Sequence, residues 1–535
     1  MRDLVMAHSN ATRTVYLETF GCQMNVLDSQ LVRGQLLGLG YRFVEDWREA
    51  DVVLYNTCSV REHAENKVWS RVGLVGMHKR ERADAGHFPG VLGVIGCMAE
   101  RDGADMLRRY PQIDLLCGPG ELDKVPMLID NAMKTQPVSD RIALQGNTHR
   151  RSGTLAAAED QLELLDLSRS FSPDEHEGSA YVRITRGCNK FCSYCVVPNT
   201  RGAEVHRPPD AIVEECRRLV AAGVREITLL GQTVNHYHYD HAAAVVIDGV
   251  TQPQIGRVVR NAGNSADTRH PTPDTRTASV TTFADLLARI HDELPDLPRL
   301  RFVTSFPRDF GDDILRVMAA RPRICRYLHL PVQSGSDRVL RAMNRGYTAA
   351  EYFDLIDRIR GHLPDVEIAS DIICGFPGET EEDHRATAAL LERCRFKNAF
   401  IFKYSPRPGT SAYDRLPDDV DEATKRRRNN ELLAIQSRIS EGVHQRYVGQ
   451  TVEVFVESIS AREQKRSGMT GGGQVELGWE RPREVTQMCG RTGGDLIVMF
   501  EGDASMIGTL VPVRIERAAT LALFGEAAVA AAVQR

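Results

Sequence analysis

Three apolar runs in the first hundred residues each end on a cysteine: VYLETFGC (15–22), DVVLYNTC (51–58) and GVLGVIGC (90–97). Short runs rich in Val, Leu and Ile predict strands buried on both faces of a parallel sheet. Segments with helical spacing lie between them, such as SQLVRGQLLGLG (29–40), which stops on glycine. This alternation implies right-handed crossovers and strands that point one way. Cys22, Cys58 and Cys97 are therefore expected along one carboxyl edge of the sheet, where open α/β folds place their ligands.

Residues near 131–178 lack strong apolar periodicity and contain polar runs such as QGNTHRRSG, so they read as a linker. A second β/α series begins at AYVRIT (180–185). It continues through EITLLGQ (226–232), LRFVTS (300–305), YLHLPVQ (327–333), VEIASDIICG (366–375) and NAFIFKYS (398–405). Six such units predict a partial barrel with its chemistry on loops at the strands' carboxyl ends. Residues 237–280, rich in Pro, Thr, Asn and Asp, interrupt the series and read as a long exposed insertion. The HYHYDH sequence at its start is read as solvated histidines rather than a metal site.

After the charged helical stretch DEATKRRRNNELLAIQSRIS, the pattern alternates as in strands of a small barrel: VGQTVEVFVES (448–458), DLIVMF (495–500) and LVPVRIER (510–517). GMTGGGQ (468–474) reads as a flexible interruption. The expected fold is α/β: an N-terminal parallel-sheet domain (13–130), a linker (131–175), a partial (β/α)6 barrel (176–445) carrying the insertion, a small β-barrel (447–517) and a tail (518–535).

Composition adds limits. At 535 residues, 42% of them hydrophobic and 26% charged, the chain has room for several globular cores. It has no long apolar run of membrane-spanning length, and MRDLVMAHSN lacks the apolar centre of a secretory signal. A cytoplasmic protein with no membrane association is expected. Twelve cysteines in a reducing compartment are expected as thiols or metal ligands rather than disulfides. A net charge of −5 gives no global attraction for nucleic acid, so any RNA binding needs a local surface.

The densest chemistry is RGCNKFCSYCVVPNTRG (186–202), with Cys188, Cys192 and Cys195 in one loop after the first strand of the second series. Four ligands close a zinc site, and zinc stays open here if a fourth comes from elsewhere in the chain. Three thiolates on a four-iron cluster leave one iron free, and the amino and carboxylate groups of S-adenosylmethionine can chelate it.

C-x3-C-x-aromatic-C, with Tyr194 as the aromatic, resembles the radical S-adenosylmethionine superfamily. TFGCQMNVLDSQ, NTCSVREHAENK and GCMAE, followed by RGCNKFCSYCVVP, LLGQTVN, HLPVQSGSDRVL, SDIICGFPGET and YSPRPGT, resemble the methylthiotransferases within it. The likeness runs from about residue 14 to about residue 516, outside the insertions. It implies a second four-iron cluster on Cys22, Cys58 and Cys97, and a C-terminal TRAM domain that binds RNA. It also implies insertion of a methylthio group at an unactivated C–H bond. Gln23 and Met24 in GCQMN, with NTCSVRE, point to members that modify C2 of N6-dimethylallyladenosine beside the tRNA anticodon. Members acting on threonylcarbamoyladenosine or on a ribosomal protein are the alternatives of substrate. A monomer is expected, and neither the electron donor nor the sulfur donor can be read from the sequence.

Gln232, Asn235, Ser305, Gln333 and Asp371 fall at predicted strand ends, where they either contact S-adenosylmethionine or cap the elements. Ser336 with Asp337, and Thr380 with Asp383, read as helix starts. KRRR (425–428) reads either as a phosphate contact or as a solvated helix face. The six remaining cysteines share no ligand spacing and read as small buried hydrophobes. A non-catalytic iron–sulfur RNA-binding protein is the competing class; it would need the first three cysteines and have no use for a complete β/α barrel.

Overall fold

The computed structural model describes residues 13–59, 62–145, 178–247, 249–256, 279–466 and 486–528. Six parallel strands build the first domain: β1 (Thr14–Phe20), β2 (Arg42–Phe43), β3 (Val52–Thr57), β4 (Val91–Gly96), β5 (Leu115–Cys117) and β6 (Ile142–Ala143). They lie in the order β2-β1-β3-β4-β5-β6. Every residue of β3 and β4 is buried because both faces carry helices. Val52 and Leu54 face one core with Leu27 and Leu31, from the helix Gln23–Gly38. Val53 and Tyr55 face the other, with Val68 and Val72 from the helix Glu62–Asp84. Period-two alternation between two apolar layers explains why the sequence shows an unbroken apolar run.

The second domain starts at β7 (Ser179–Arg183). Next come β8 (Thr185–Arg186), β9 (Val205–His206) and β10 (Glu226–Leu230). The insertion contributes β11 (His238–Asp240), β12 (Val246–Ile247), β13 (Val250–Thr251) and β14 (Gln254–Ile255), and β15 (Val280–Thr282) closes it. The series resumes with β16 (Arg299–Phe302), β17 (Tyr327–His329), β18 (Glu367–Cys374) and β19 (Asn398–Lys403). β7-β10-β16 and β17-β18-β19 are parallel three-stranded sheets. A Leu300–Ile324 bridge and a Ser305 N–H donated to the His329 carbonyl join them edge to edge, so six strands in chain order form one open barrel.

The last unit is a closed barrel of β20 (Thr451–Ile459), β21 (Thr486–Thr492), β22 (Ile497–Gly502), β23 (Leu510–Ala518) and β24 (Leu523–Ala527), in the order β20-β21-β22-β24-β23. It grips the amino-terminal rim of the larger barrel. Arg299, which opens β16, donates to the Arg491 and Glu453 carbonyls at 2.8 and 2.7 Å. Glu367, which opens β18, accepts from Tyr447 at 2.6 Å. Lys397, one residue before β19, pairs with Asp495 at 2.6 Å.

Three expectations change. The stretch read as a linker supplies β6, a two-residue strand too short to show a period. The stretch read as a tail supplies β24, which closes the small barrel by burying Leu523 between β22 and β23. The insertion is not simply an exposed loop: β11 pairs with β15, β14 pairs with β9, and Tyr237 and Tyr239 of HYHYDH are core residues at 2% and 1% exposure. Its residues 257–278, like GMTGGGQ and most of the expected linker, lie outside the described residues. Among the described residues no helix is long and apolar enough to cross a membrane.

Candidate functional site

The loop 187–204 is a pouch with a narrow neck. β8 and β9 close it as an antiparallel pair, Thr185 opposite His206 and Arg186 opposite Val205. Gly187 sits at the neck with φ of 71°, and a Cβ there would lie 2.0 Å from the Ala203 carbonyl oxygen. Only glycine serves at that point. The Cys188 N–H donates to Gly202 across the neck at 3.2 Å. Inside the pouch Cys188 and Cys192 are buried and Cys195 is half-buried.

Other segments hold the pouch in shape. Ser193 donates its hydroxyl to the Ala342 carbonyl at 2.8 Å, and Asn344 donates to the Phe191 carbonyl at 2.9 Å. Arg345 follows, with Nη1 3.4 Å from Cys192 Sγ and 3.3 Å from the Tyr194 hydroxyl. The insertion closes the opposite side. Asn189 donates to the Gly256 carbonyl at 3.0 Å and accepts from the Glu204 N–H at 3.1 Å. Burial pushes the Cys188 thiol well up, with Glu204 adding to the effect. Burial beside Cys192 pushes Cys195 up to about 12. A group that takes these sulfurs as thiolates must supply positive charge of its own, as iron does.

The second set stands on consecutive strands of the first sheet. Phe20, Thr57 and Gly96 are in register at the carboxyl ends of β1, β3 and β4. Cys22 then caps the helix Gln23–Gly38, Cys58 directly follows β3, and Cys97 opens the helix Cys97–Asp102. Asn25 and Asn56 brace this edge. Asn25 donates to the Asn56 side chain and to the Thr57 carbonyl at 3.0 Å each, and Asn56 donates back to the Asn25 carbonyl at 2.8 Å. A hydrogen bond with Cys58 and the nearby Arg201 guanidinium pull the Cys22 thiol down to about 6 against the effect of burial. Burial raises Cys97.

The short helix Val197–Thr200, directly beyond Cys195, packs against Cys97–Asp102 and ties one thiol set to the other. Arg201 follows it and pairs with Asp28 at 2.7 Å. On the far side Arg407, from YSPRPGT, pairs with Glu65 at 2.6 Å, and Arg101 binds the same carboxylate at 2.9 Å.

The strand-end polar residues divide. Gln232 Oε1 and Ser305 Oγ are buried with no hydrogen-bond partner among the described residues. Asn235 is engaged at both ends of its amide by the Phe306 backbone, at 3.0 and 2.8 Å. Asp371 hydrogen-bonds His329 at 3.1 Å. Gln333 is buried, has φ of 79°, and donates its N–H to the Asp371 carbonyl.

Ser336 and Thr380 cap their helices, the latter with a complete capping box. In KRRR, Lys425 and Arg428 are buried in ion pairs with Asp418 and Glu379. Those two residues are neither phosphate contacts nor a solvated face.

Arg201, Arg345 and Asn189 carry much of this geometry, and sequence reasoning did not single them out. Their signal lay in position: Asn189 and Arg201 sit within RGCNKFCSYCVVPNTRG, and Arg345 lies five residues beyond HLPVQSGSDRVL.

Residues 182–391 match the radical SAM superfamily, and residues 14–118 match the uncharacterized protein family UPF0004. The tRNA-2-methylthio-N(6)-dimethylallyladenosine synthase of Rhodopirellula baltica is 40% identical over 96% of this chain and 95% of its own length. The protein of the same name from Bacteroides thetaiotaomicron is 36% identical over 98% of each chain. Among solved structures, the radical S-adenosylmethionine methyltransferase TsrM from Kitasatospora setae superposes with a TM-score of 0.50 at 15% identity, covering 75% of this chain and 77% of that one. The last likeness concerns the fold alone. With identity sustained over nearly its whole length, the chain belongs to the methylthiotransferase family of radical S-adenosylmethionine enzymes.

Proposed function

We propose that the chain methylthiolates C2 of N6-dimethylallyladenosine beside the anticodon of tRNA, acting as a monomer in the cytoplasm. The observation that carries this reading is the packing of the short helix beyond Cys195 against the helix that Cys97 opens, with Arg201 paired to Asp28 beside it. Cys188, Cys192 and Cys195 would hold one four-iron cluster, and Cys22, Cys58 and Cys97 a second. With S-adenosylmethionine bound, the first supplies a radical route to an unactivated C–H bond and the second presents sulfur.

The chain's own residues supply placement. Buried oxygens without protein partners on Gln232 and Ser305 suit the polar groups of S-adenosylmethionine at the barrel mouth. Tyr194, Gln333 and Asp371 are the other residues proposed to contact the cofactor, while Asn235 fixes the Phe306 turn. Arg345 holds positive charge at Cys192, and Gly187 lets the two ends of the pouch approach closely. The adenosine enters the mouth splayed out of its loop, as single-stranded RNA bases are read. The small C-terminal barrel holds the body of the tRNA.

Mass spectrometry of tRNA nucleosides from cells with and without the gene tests the reading. The 2-methylthio derivative of dimethylallyladenosine should vanish with the gene and return with it. If the unmethylthiolated nucleoside does not accumulate in its place, the substrate is wrong. In vitro, tRNA lacking the dimethylallyl group should react far more slowly, because each buried methylene-sized unit contributes ~0.8 kcal/mol.

A further inference from the structure

A cation of the barrel domain is set into the thiol edge of the first domain. Arg201 ends the turn that leads away from Cys195, its N–H donating to the Val197 carbonyl at 2.8 Å. Its Nη2 donates to Asp28 Oδ2 at 2.7 Å, with the two side chains 5% and 0% exposed. Asp28 stands on the helix that Cys22 caps, and its Oδ1 has no partner among the described residues. The guanidinium charge bears on both Cys22 and Cys97, and Thr200 hydrogen-bonds Cys97. A buried ion pair is a weak source of stability, because desolvation offsets most of the attraction. Its place beside the thiols therefore calls for another role.

We propose that Arg201 and Asp28 are positioning residues that set the reduction potential of the sheet-edge cluster in opposite senses, Arg201 raising it and Asp28 lowering it. The inference rests on the two-cluster reading above. Added electron density on a cluster is stabilised by a nearby positive charge and destabilised by a negative one, most strongly where water is excluded. Because the cation comes from the segment that continues the radical-cluster loop, the potential of one cluster depends on the placement of the other's loop.

The test uses the full chain with Cys188, Cys192 and Cys195 replaced by Ala, reconstituted anaerobically so that only the sheet-edge cluster contributes. A redox titration followed by electron paramagnetic resonance gives its midpoint. Arg201→Gln should shift the midpoint negative, Asp28→Asn should shift it positive, and Arg201→Lys should leave it near the parent value. Both neutral variants remove the same ion pair, so a purely structural pair would move the midpoint in one direction or leave it unmoved. Either result overturns the proposal. Should Arg201→Gln hold no iron, the other two variants decide: a positive shift with Asp28→Asn and none with Arg201→Lys supports the proposal, and any other pairing overturns it. Absence of iron from the parent itself would instead overturn the two-cluster reading, and this inference with it.

Discussion

Arg345 Nη1 stands 3.4 Å from the Sγ of Cys192, so a buried guanidinium donates to one thiol of the three-cysteine pouch. The side chain has little freedom to leave. Its Nε donates to the Tyr347 hydroxyl at 3.0 Å, Nη2 donates to the Pro331 carbonyl, and the group lies 4.5 Å from the centre of the Phe306 ring.

Hydrogen bonds to cluster sulfur raise reduction potential. Arg345→Met should therefore lower the potential of a cluster held there, leaving it harder to reduce, so that 5′-deoxyadenosine forms more slowly when reduction of the cluster limits turnover. A charged hydrogen bond contributes about 1.5 kcal/mol or more, which corresponds to roughly tenfold in the ratio of reduced to oxidised cluster at a fixed potential. The measurements are the cluster midpoint and the initial rate of 5′-deoxyadenosine formation with the sheet-edge cysteines replaced by Ala. An unchanged midpoint would remove this role from Arg345.

The two-cluster reading predicts about eight irons per chain after anaerobic reconstitution. Replacing Cys188, Cys192 and Cys195 by Ala should halve the iron and abolish cofactor cleavage. Replacing Cys22, Cys58 and Cys97 should also halve it while leaving cleavage measurable and ending methylthiolation. Product from that second variant would mean that sulfur arrives by another route.

His206 makes the neck of the pouch acid-sensitive. Burial pushes its imidazole down to about 4; Glu204 opposes this, while His236, His238 and Lys190 reinforce it. The unfolded chain takes the proton first, near 6.5, so His206's contribution is complete above that pH and is lost as pH falls toward 4. The full span corresponds to roughly 3 kcal/mol. Thermal unfolding at pH 7 and pH 5 should show a steeper acid loss in the parent than in His206→Gln. Parallel losses would mean that other groups govern the acid limb.

Arg301 joins the two barrels. It pairs with the buried Glu226 carboxylate at 3.2 Å and donates to the Thr492 carbonyl at 3.1 Å. Arg301→Met strands that carboxylate, a defect that costs about 3–5 kcal/mol when no partner remains. Arg299, 3.8 Å from the same carboxylate, should hold the loss to the low end. Calorimetry should show the fall, and limited proteolysis should cut earlier within residues 447–528. Full retention of both properties would mean that the barrels dock without this contact.

The sequence was most legible where burial is complete. β3 and β4 lie between two apolar layers, so they appear as unbroken runs, and the cysteine after each marks the sheet edge. Helix starts at Ser336 and Thr380 were equally plain, since a cap is a local device. What escaped depends on distant partners. Ile142–Ala143 and Leu523–Ala527 become strands only because an open sheet edge awaits them. Tyr237 and Tyr239 sit among histidines in a polar context, and their burial is decided by the barrel wall beneath. Arg201 and Asp28 are 173 positions apart, a separation at which no periodicity can pair them.

The grip of the small barrel on the amino-terminal rim makes the larger barrel a spacer. Its strands of three to eight residues, each rising about 3.3 Å, separate that rim from the cysteine pouch by up to roughly 25 Å. An RNA held by the small barrel, as proposed, would have to span that distance along the outside of the protein before its target base turned into the mouth. On that reading an isolated anticodon loop would occupy the mouth without reaching the small barrel. Shortening the stem of a hairpin substrate should therefore produce an abrupt loss of affinity at one length rather than a gradual decline.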